Sequence, residues 1–131
     1  MEKIDPDFSA IDIILSIMPE EENGYNIVKK YHENGELMAE ARFIDGQLQK
    51  HSRVYFETGK ISAELNFHNG SLNGKSTWYY ENGKKKMTRF FKNGKLDGIS
   101  FIFDMEGKVI EEQIYIEDTL MKKIRYGKDR K

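Results

Sequence analysis

Residues 55–98 read YFETGKISAELNFHNGSLNGKSTWYYENGKKKMTRFFKNGKLDG. The stretch holds one unit written nearly twice. Gly59 and Gly83, Gly70 and Gly94, Leu72 and Leu96, and Gly74 and Gly98 are each 24 residues apart. The step continues outward in both directions. A turn glycine recurs as Gly35, Gly59, Gly83 and Gly107, and a leucine as Leu48, Leu72, Leu96 and Leu120. Aromatics recur as Phe43, Phe67, Phe91 and Tyr115, and as Tyr31, Tyr55, Tyr79 and Phe103. A fixed period of this length sets the architecture before any local propensity does.

Each unit contains two short segments and two turn signals. Asn-Gly and Asp-Gly suit hairpins, because a type I′ turn needs positive φ at both central residues. They occur at 34–35, 45–46, 69–70, 82–83, 93–94 and 97–98. The runs between them are of strand length. Leu37, Ala39, Ala41 and Phe43 alternate with polar neighbours, as do Ile61, Ala63, Leu65 and Phe67. The expected fold is all-β with one N-terminal helix: hairpin repeats over residues 25–126, pairing into one elongated, twisted antiparallel meander. Up to nine strands are expected, giving a sheet roughly 40 Å long across its strands. Its two edges need protection. Residues 127–131 form a basic tail.

Residues 1–24 lie outside the repeat. Asp5-Pro6 is a good helix start. Phe8, Ile11, Ile14, Leu15 and Met18 follow at helical spacing, and Pro19 ends the pattern. Residues 6–18 are therefore expected to form an amphipathic helix that caps the array. Units three and four break the apolar face. Lys85, Met87 and Arg89, then Val109, Glu111 and Gln113, occupy it, while Phe90, Ile110 and Ile114 fall on the other side. Either the helix covers only the first half of the face, or the sheet changes the side it buries.

Composition narrows the function. The 131 residues suit one domain; 33% are charged and 38% hydrophobic, with 8 Phe, 7 Tyr and 1 Trp arguing against disorder. The formal net charge of −1 gives no global attraction for nucleic acid or an anionic membrane. No apolar run suits a spanning helix, and the start reads as a poor signal peptide. With no cysteine there is no disulfide, thiolate metal site or cysteine nucleophile, and the expected compartment is the cytoplasm.

The sequence from Tyr79 to Lys84 (YYENGK) and from Phe91 to Gly98 (FKNGKLDG) resembles the MORN-repeat variant of bacterial proteins, notably the YwqK-type antitoxin family. The resemblance spans residues 31–121. It implies a β-hairpin array and, for the antitoxin-like members, neutralisation of a co-encoded toxin by direct binding. Other MORN proteins bind phosphoinositide membranes or serve as scaffolds. This chain departs from the pattern at Gln49-Lys50, Asp118 and Lys122, as end units often do.

Catalytic chemistry finds little footing. His32, His51 and His68 occupy three different repeat positions and offer no metal-ligand spacing. Glu40, Glu64 and Glu112 share a column with Thr88, which reads as cross-strand pairing rather than an acid–base pair. No catalytic residue, cofactor or metal is expected. Charge is banded: residues 84–95 are basic, residues 104–118 acidic and the last eleven basic. Two compatible readings follow: neighbouring hairpins pair their charges across the sheet, and the bands steer a charged partner. The expected function is a non-enzymatic, antitoxin- or immunity-like protein that occludes a toxin domain such as a nuclease or deaminase. Asp104, Glu106, Glu111 and Glu112 would mimic nucleic-acid phosphates. Trp78, Tyr80, Lys85, Arg89 and Phe90 would supply contact area, although Trp78 also suits the core. The partner is a protein, with no nucleic acid and no integral membrane association. The alternative is a membrane-associated or homo-oligomeric MORN scaffold.

Overall fold

The computed structural model describes residues 9–127. One helix, α1 (Ser9–Leu15), precedes the strands β1 (Tyr25–Tyr31), β2 (Leu37–Ile44), β3 (Gln47–Leu48), β4 (Lys50–Tyr55), β5 (Ile61–His68) and β6 (Ser71–Leu72). There follow β7 (Gly74–Tyr79), β8 (Lys85–Lys92), β9 (Lys95–Leu96), β10 (Gly98–Phe103), β11 (Val109–Ile116) and β12 (Thr119–Arg125). The protein is all-β with one helix. Its single open sheet runs β1-β2-β4-β5-β7-β8-β10-β11-β12, and β3, β6 and β9 extend the hairpin tips of β2, β5 and β8. Every pairing is antiparallel.

The Asn-Gly and Asp-Gly pairs do three different jobs. Asp45-Gly46, Asn69-Gly70 and Asn93-Gly94 have positive φ at both residues, as a two-residue type I′ turn requires. Asn34-Gly35 and Asn82-Gly83 instead lie in longer loops, where only the glycine is left-handed. There the asparagine oxygen accepts from the amide two residues on, at 2.9 Å in both loops. Asp97-Gly98 is no turn at all, for Gly98 opens β10. The last hairpin turns on Glu117-Asp118, with φ of 44° and 69° and no glycine.

The three tip strands are split from the longer ones by a bulge. The amides of Gln49, Asn73 and Asp97 donate to the carbonyls of Arg42, Asn66 and Phe90 at 2.9, 2.9 and 3.0 Å. The extra residues leave amide groups of the facing strand without a main-chain partner. Buried serines fill the gap: Arg42 N and Asn66 N each donate to Oγ, of Ser52 and Ser76 respectively, at 3.2 Å. Ser52 and Ser76, with Ser100 next at the 24-residue step, are a further column that the glycines and aromatics overshadow in the sequence; among the described residues the Ser100 Oγ makes no such bond. At the bulge, Lys50 takes a φ of 58° where its repeat equivalents are Gly74 and Gly98. The left-handed region costs a residue with Cβ roughly 1–2 kcal/mol, and glycine loses roughly 0.5–1 kcal/mol in extra chain entropy. Lys50→Gly is therefore expected to stabilise the fold by about 0.5–1 kcal/mol, read as a higher urea midpoint at unchanged slope.

Units are stitched at both strand ends. At the tips, Gly70 N, Gly94 N and Asp118 N donate to the carbonyls of Leu48, Leu72 and Leu96 at 2.9, 2.8 and 2.8 Å. At the other ends, Asn34 Nδ2 reaches Glu57 O at 3.0 Å and Asn82 Nδ2 reaches Met105 O at 2.9 Å. The repeated asparagines, glycines and leucines therefore do inter-unit work as well as shaping turns.

One face of the sheet carries the core. Val28, Ala39, Ala41, Phe43, Val54, Ala63, Leu65, Phe67, Trp78, Met87 and Phe91 are buried there with Ala10, Ile11, Ile14 and Ile17. The small side chains at 39, 41 and 63 let α1 sit close against β2, β4 and β5. The helix thus covers only the first half of the face, the first of the two sequence alternatives. It is shorter than expected at its C-terminal end. Ser16 Oγ donates to Ile13 O at 2.7 Å and Ile17 N turns onto Ile14 O at 3.1 Å, which closes the last turn before Met18. The buried stripe is 10, 11, 14 and 17, so Leu15 and Met18 are exposed, contrary to expectation. Asp5, Pro6 and Phe8 lie outside the described residues, as does the tail beyond Gly127.

Candidate functional site

At the C-terminal end of the sheet, β10 to β12, the two faces have opposite character. On the helix side, Ser100 lies opposite Gln113 and Gln113 opposite Lys123, while Ile102 lies opposite Glu111 and Glu111 opposite Arg125. Glu111 is the hub. Its carboxylate accepts from Arg125 Nε and Nη2 at 3.0 and 2.9 Å and from Gln113 Nε2, with Lys123 Nζ at 3.8 Å. Burial alone would raise this carboxyl. The hydrogen bonds from Gln113 and Arg125 and the charges of Lys123 and Arg125 outweigh it and hold the group below its ordinary value. Arg89 is buried beside this cluster. Its Nε donates to Met87 Sδ at 2.9 Å, and its guanidinium lies 5.9 Å from the Tyr115 ring centre.

Because the folded Glu111 carboxyl titrates below its unfolded value, its contribution is present above the unfolded carboxylate range. It is lost as pH falls through the folded value. Arg125 is mostly exposed, which limits the pair to about 0.5–1 kcal/mol. Arg125→Ala is expected to move the Glu111 titration up towards the ordinary carboxylate range, as followed by carboxyl carbon NMR.

The opposite face changes along the sheet. In the first units it is charged and internally paired. Glu40 stands opposite both Lys29 and Arg53, and Arg53 opposite Glu64. Arg53 Nε donates to Glu64 at 2.8 Å, and Tyr55 OH to Glu40 at 3.0 Å. Burial and that hydrogen bond push the Tyr55 phenol up. The glutamate column is therefore structural, its partners being arginine and tyrosine more than lysine. In β8 to β12 the same face turns apolar. Ile99 lies opposite Ile114, and Phe101 opposite both Thr88 and Glu112. Alternation adds Phe90 and Ile110. Phe90, Ile99 and Ile110 are 39%, 40% and 38% exposed. Phe101 and Phe103 have ring centres 6.4 Å apart.

Gly98 seats Phe90. A Cβ at Gly98 would lie 3.2 Å from Phe90 Cβ, and one at Gly74 would lie 3.0 Å from Asn66 Nδ2. Residues 66 and 90 are repeat equivalents, so the missing side chain lets each lie over the bulge.

The sequence-selected residues separate into several places. Strand alternation puts Glu111 on the helix side and Glu112 on the other, where it accepts from Tyr126 OH. The same alternation divides buried Arg89 from exposed Phe90. Asp104, Glu106 and Glu111 do line one open groove with Lys108, Arg125 and Tyr126. Asp104 is engaged by its own loop: it accepts from Glu106 N at 2.9 Å and Lys108 N at 3.0 Å, and these amides lower its carboxyl. Glu106 is exposed, and its carbonyl accepts from Lys84 Nζ at 3.2 Å. Trp78 is buried in the core. Tyr80 OH ties to Phe103 O at 2.6 Å, and Lys86 Nζ lies 5.8 Å from the Tyr80 ring centre. Lys85 is exposed at the start of β8. Ile99 and Phe101 were missed by sequence reasoning; their period of two through ISFIF was the available signal. Tyr80→Phe is expected to cost about 1 kcal/mol by removing one inter-unit hydrogen bond, measurable by chemical denaturation.

Among the described residues no group of three or more His, Cys, Asp or Glu side chains is placed to hold a metal. No helix among them is long and apolar enough to cross a membrane.

The chain belongs to a protein family described as "Uncharacterised protein", whose profile matches residues 16–130. No curated protein matches it. Among solved structures it is similar in fold to TarM, with a TM-score of 0.50 and 17% identity over 88% of this chain. A Staphylococcus aureus TarM point mutant, solved with fondaparinux, alpha-GlcNAc-glycerol and UDP, gives a TM-score of 0.51 and 16% identity over 88% of this chain. The chain spans 22% of the length of each of these proteins. At such identity the likeness shows the fold alone.

Proposed function

We propose that this is a non-enzymatic binding protein of the cytoplasm. It acts as an antitoxin or immunity protein, and neutralises a cognate bacterial toxin domain by covering its active site. The observation that carries the binding reading is the uncovered apolar face of β8 to β12. Phe90, Ile99 and Ile110 stand partly exposed together on a rigid, stitched sheet, whereas the same face is charged and self-paired in the first units. Contiguous exposed apolar surface with aromatic anchors is the usual signature of a protein contact. The toxin as partner comes from the resemblance to the MORN-variant antitoxin family. Glu111, Glu112 and Asp104 are each engaged within the fold, so contact area, rather than phosphate mimicry by the acidic run, is the stronger basis for binding.

The test is affinity capture of the tagged chain from its source cells, with partners identified by mass spectrometry and the complex weighed by light scattering. The reading expects one protein in fixed stoichiometry with this chain. Recovery of the chain with lipid or with itself alone would instead favour a scaffold.

A further inference from the structure

We propose that the β7 to β12 face opposite α1 docks a protein surface that is apolar at its centre and rimmed with carboxylates. This rests on the reading of the chain as a protein-binding module, and it names the side used and the chemistry of the partner.

The argument is charge complementarity around an apolar patch. Phe90, Ile99, Phe101 and Ile114 form the centre. Lys75 stands opposite Phe90, Lys122 opposite Ile114, and Lys92 opposite Lys95. Residues directly opposite in an antiparallel pair share a face, so four lysines border the patch, and all four are exposed. None of the four has an ion-pair partner among the described residues. Within these strands the face carries one carboxylate, Glu112, and the Tyr126 hydroxyl already holds it. The acids of residues 104–118 therefore do not neutralise Lys92 and Lys95 across the sheet. A partner with carboxylates around an apolar knob satisfies both features, and it would be steered to the face by its charge.

Two other occupants fit less well. A second copy would bring like-charged rims together. An anionic bilayer matches the lysines, but Phe90 and Ile99 are only 39% and 40% exposed. Such side chains suit a packed protein surface more than insertion among lipid chains.

The experiment is photo-cross-linking in the source cells with the full chain. p-Benzoylphenylalanine replaces Ile99 on the proposed face, Arg42 on the same face of the first units, or Met18 near the helix. The expected result is a cross-link to another protein from position 99 alone, through a peptide rich in Asp and Glu. Lys75→Glu combined with Lys122→Glu should lower its yield by about tenfold or more, while thermal melting shows the fold intact. Cross-linking to another protein from position 42 or 18 but not 99 overturns the docking face while leaving the binding function standing. No protein cross-link from any position overturns both. A cross-link to a second copy, an insensitivity to charge reversal, or flotation of the chain with phosphatidylserine–phosphatidylcholine vesicles that the reversal abolishes each overturns the proposed partner chemistry.

Discussion

Trp78→Ala is expected to remove about 3–5 kcal/mol of stability, the range for truncating a buried Trp or Phe. Trp78 is 3% exposed and stands opposite Ala63 on one neighbouring strand and Met87 on the other. It lines one groove with Ala10 and Ile13 of the helix and with Val54, its repeat equivalent one unit back. Alanine there would leave a void that α1 cannot fill, because the helix already rests on the alanines of β2 and β5. Domains of this size hold roughly 5–15 kcal/mol in total, so the loss is a large share of it. Urea denaturation followed by far-UV circular dichroism measures it. A cost under about 1 kcal/mol would mean that Trp78 is not in the helix–sheet core.

Gly98→Val is the second large effect. The φ of Gly98 is 122°, a region that side chains with a Cβ rarely adopt. Forcing it costs about 1–3 kcal/mol. The new Cβ would also sit 3.2 Å from Phe90 Cβ, and such overpacking costs about 1–3 kcal/mol more. The substitution acts twice, by straining the bulge and by lifting Phe90 off the strand. Gly127→Ala is the control. It has nothing within 4 Å and no positive φ, so its effect should stay within about 0.5 kcal/mol. Equal costs at the two sites would show that the bulge geometry is wrong.

Much of the fold was legible because it is written in turns. A hairpin tip needs positive φ, few residues supply it, and a repeat of such residues announces itself. The same logic sets the limit. Asn-Gly in a sequence reads as one kind of turn, yet Asn34 and Asn82 use their side chains to build a longer loop and to reach the next unit. Lys50 and the Glu117-Asp118 pair adopt left-handed backbone without glycine, because the neighbouring hairpins fix their register.

The site was legible only in part. The change of character in the third and fourth units shows in the sequence, and Phe90, Ile110 and Ile114 lie away from the core face as their alternation predicts. A charge band along the chain is not a band in space, however. Alternation sends Glu111 and Glu112 to opposite faces, and Arg89 and Phe90 likewise. The buried serine column was hidden because a serine in a strand gives no sign that an amide ten residues back lacks a partner. The helix boundary depended on Ser16 turning back onto Ile13, a local competition that apolar spacing does not report.

The measurement that tests the proposed function most directly is growth of cells expressing the captured partner, with and without this chain. The account predicts that the partner alone arrests growth and that co-expression restores it. Rescue should fail for Ile99→Asp with Ile114→Asp and persist for Arg42→Ala. A partner that leaves growth unaffected, or a toxic one that this chain does not neutralise, would contradict it.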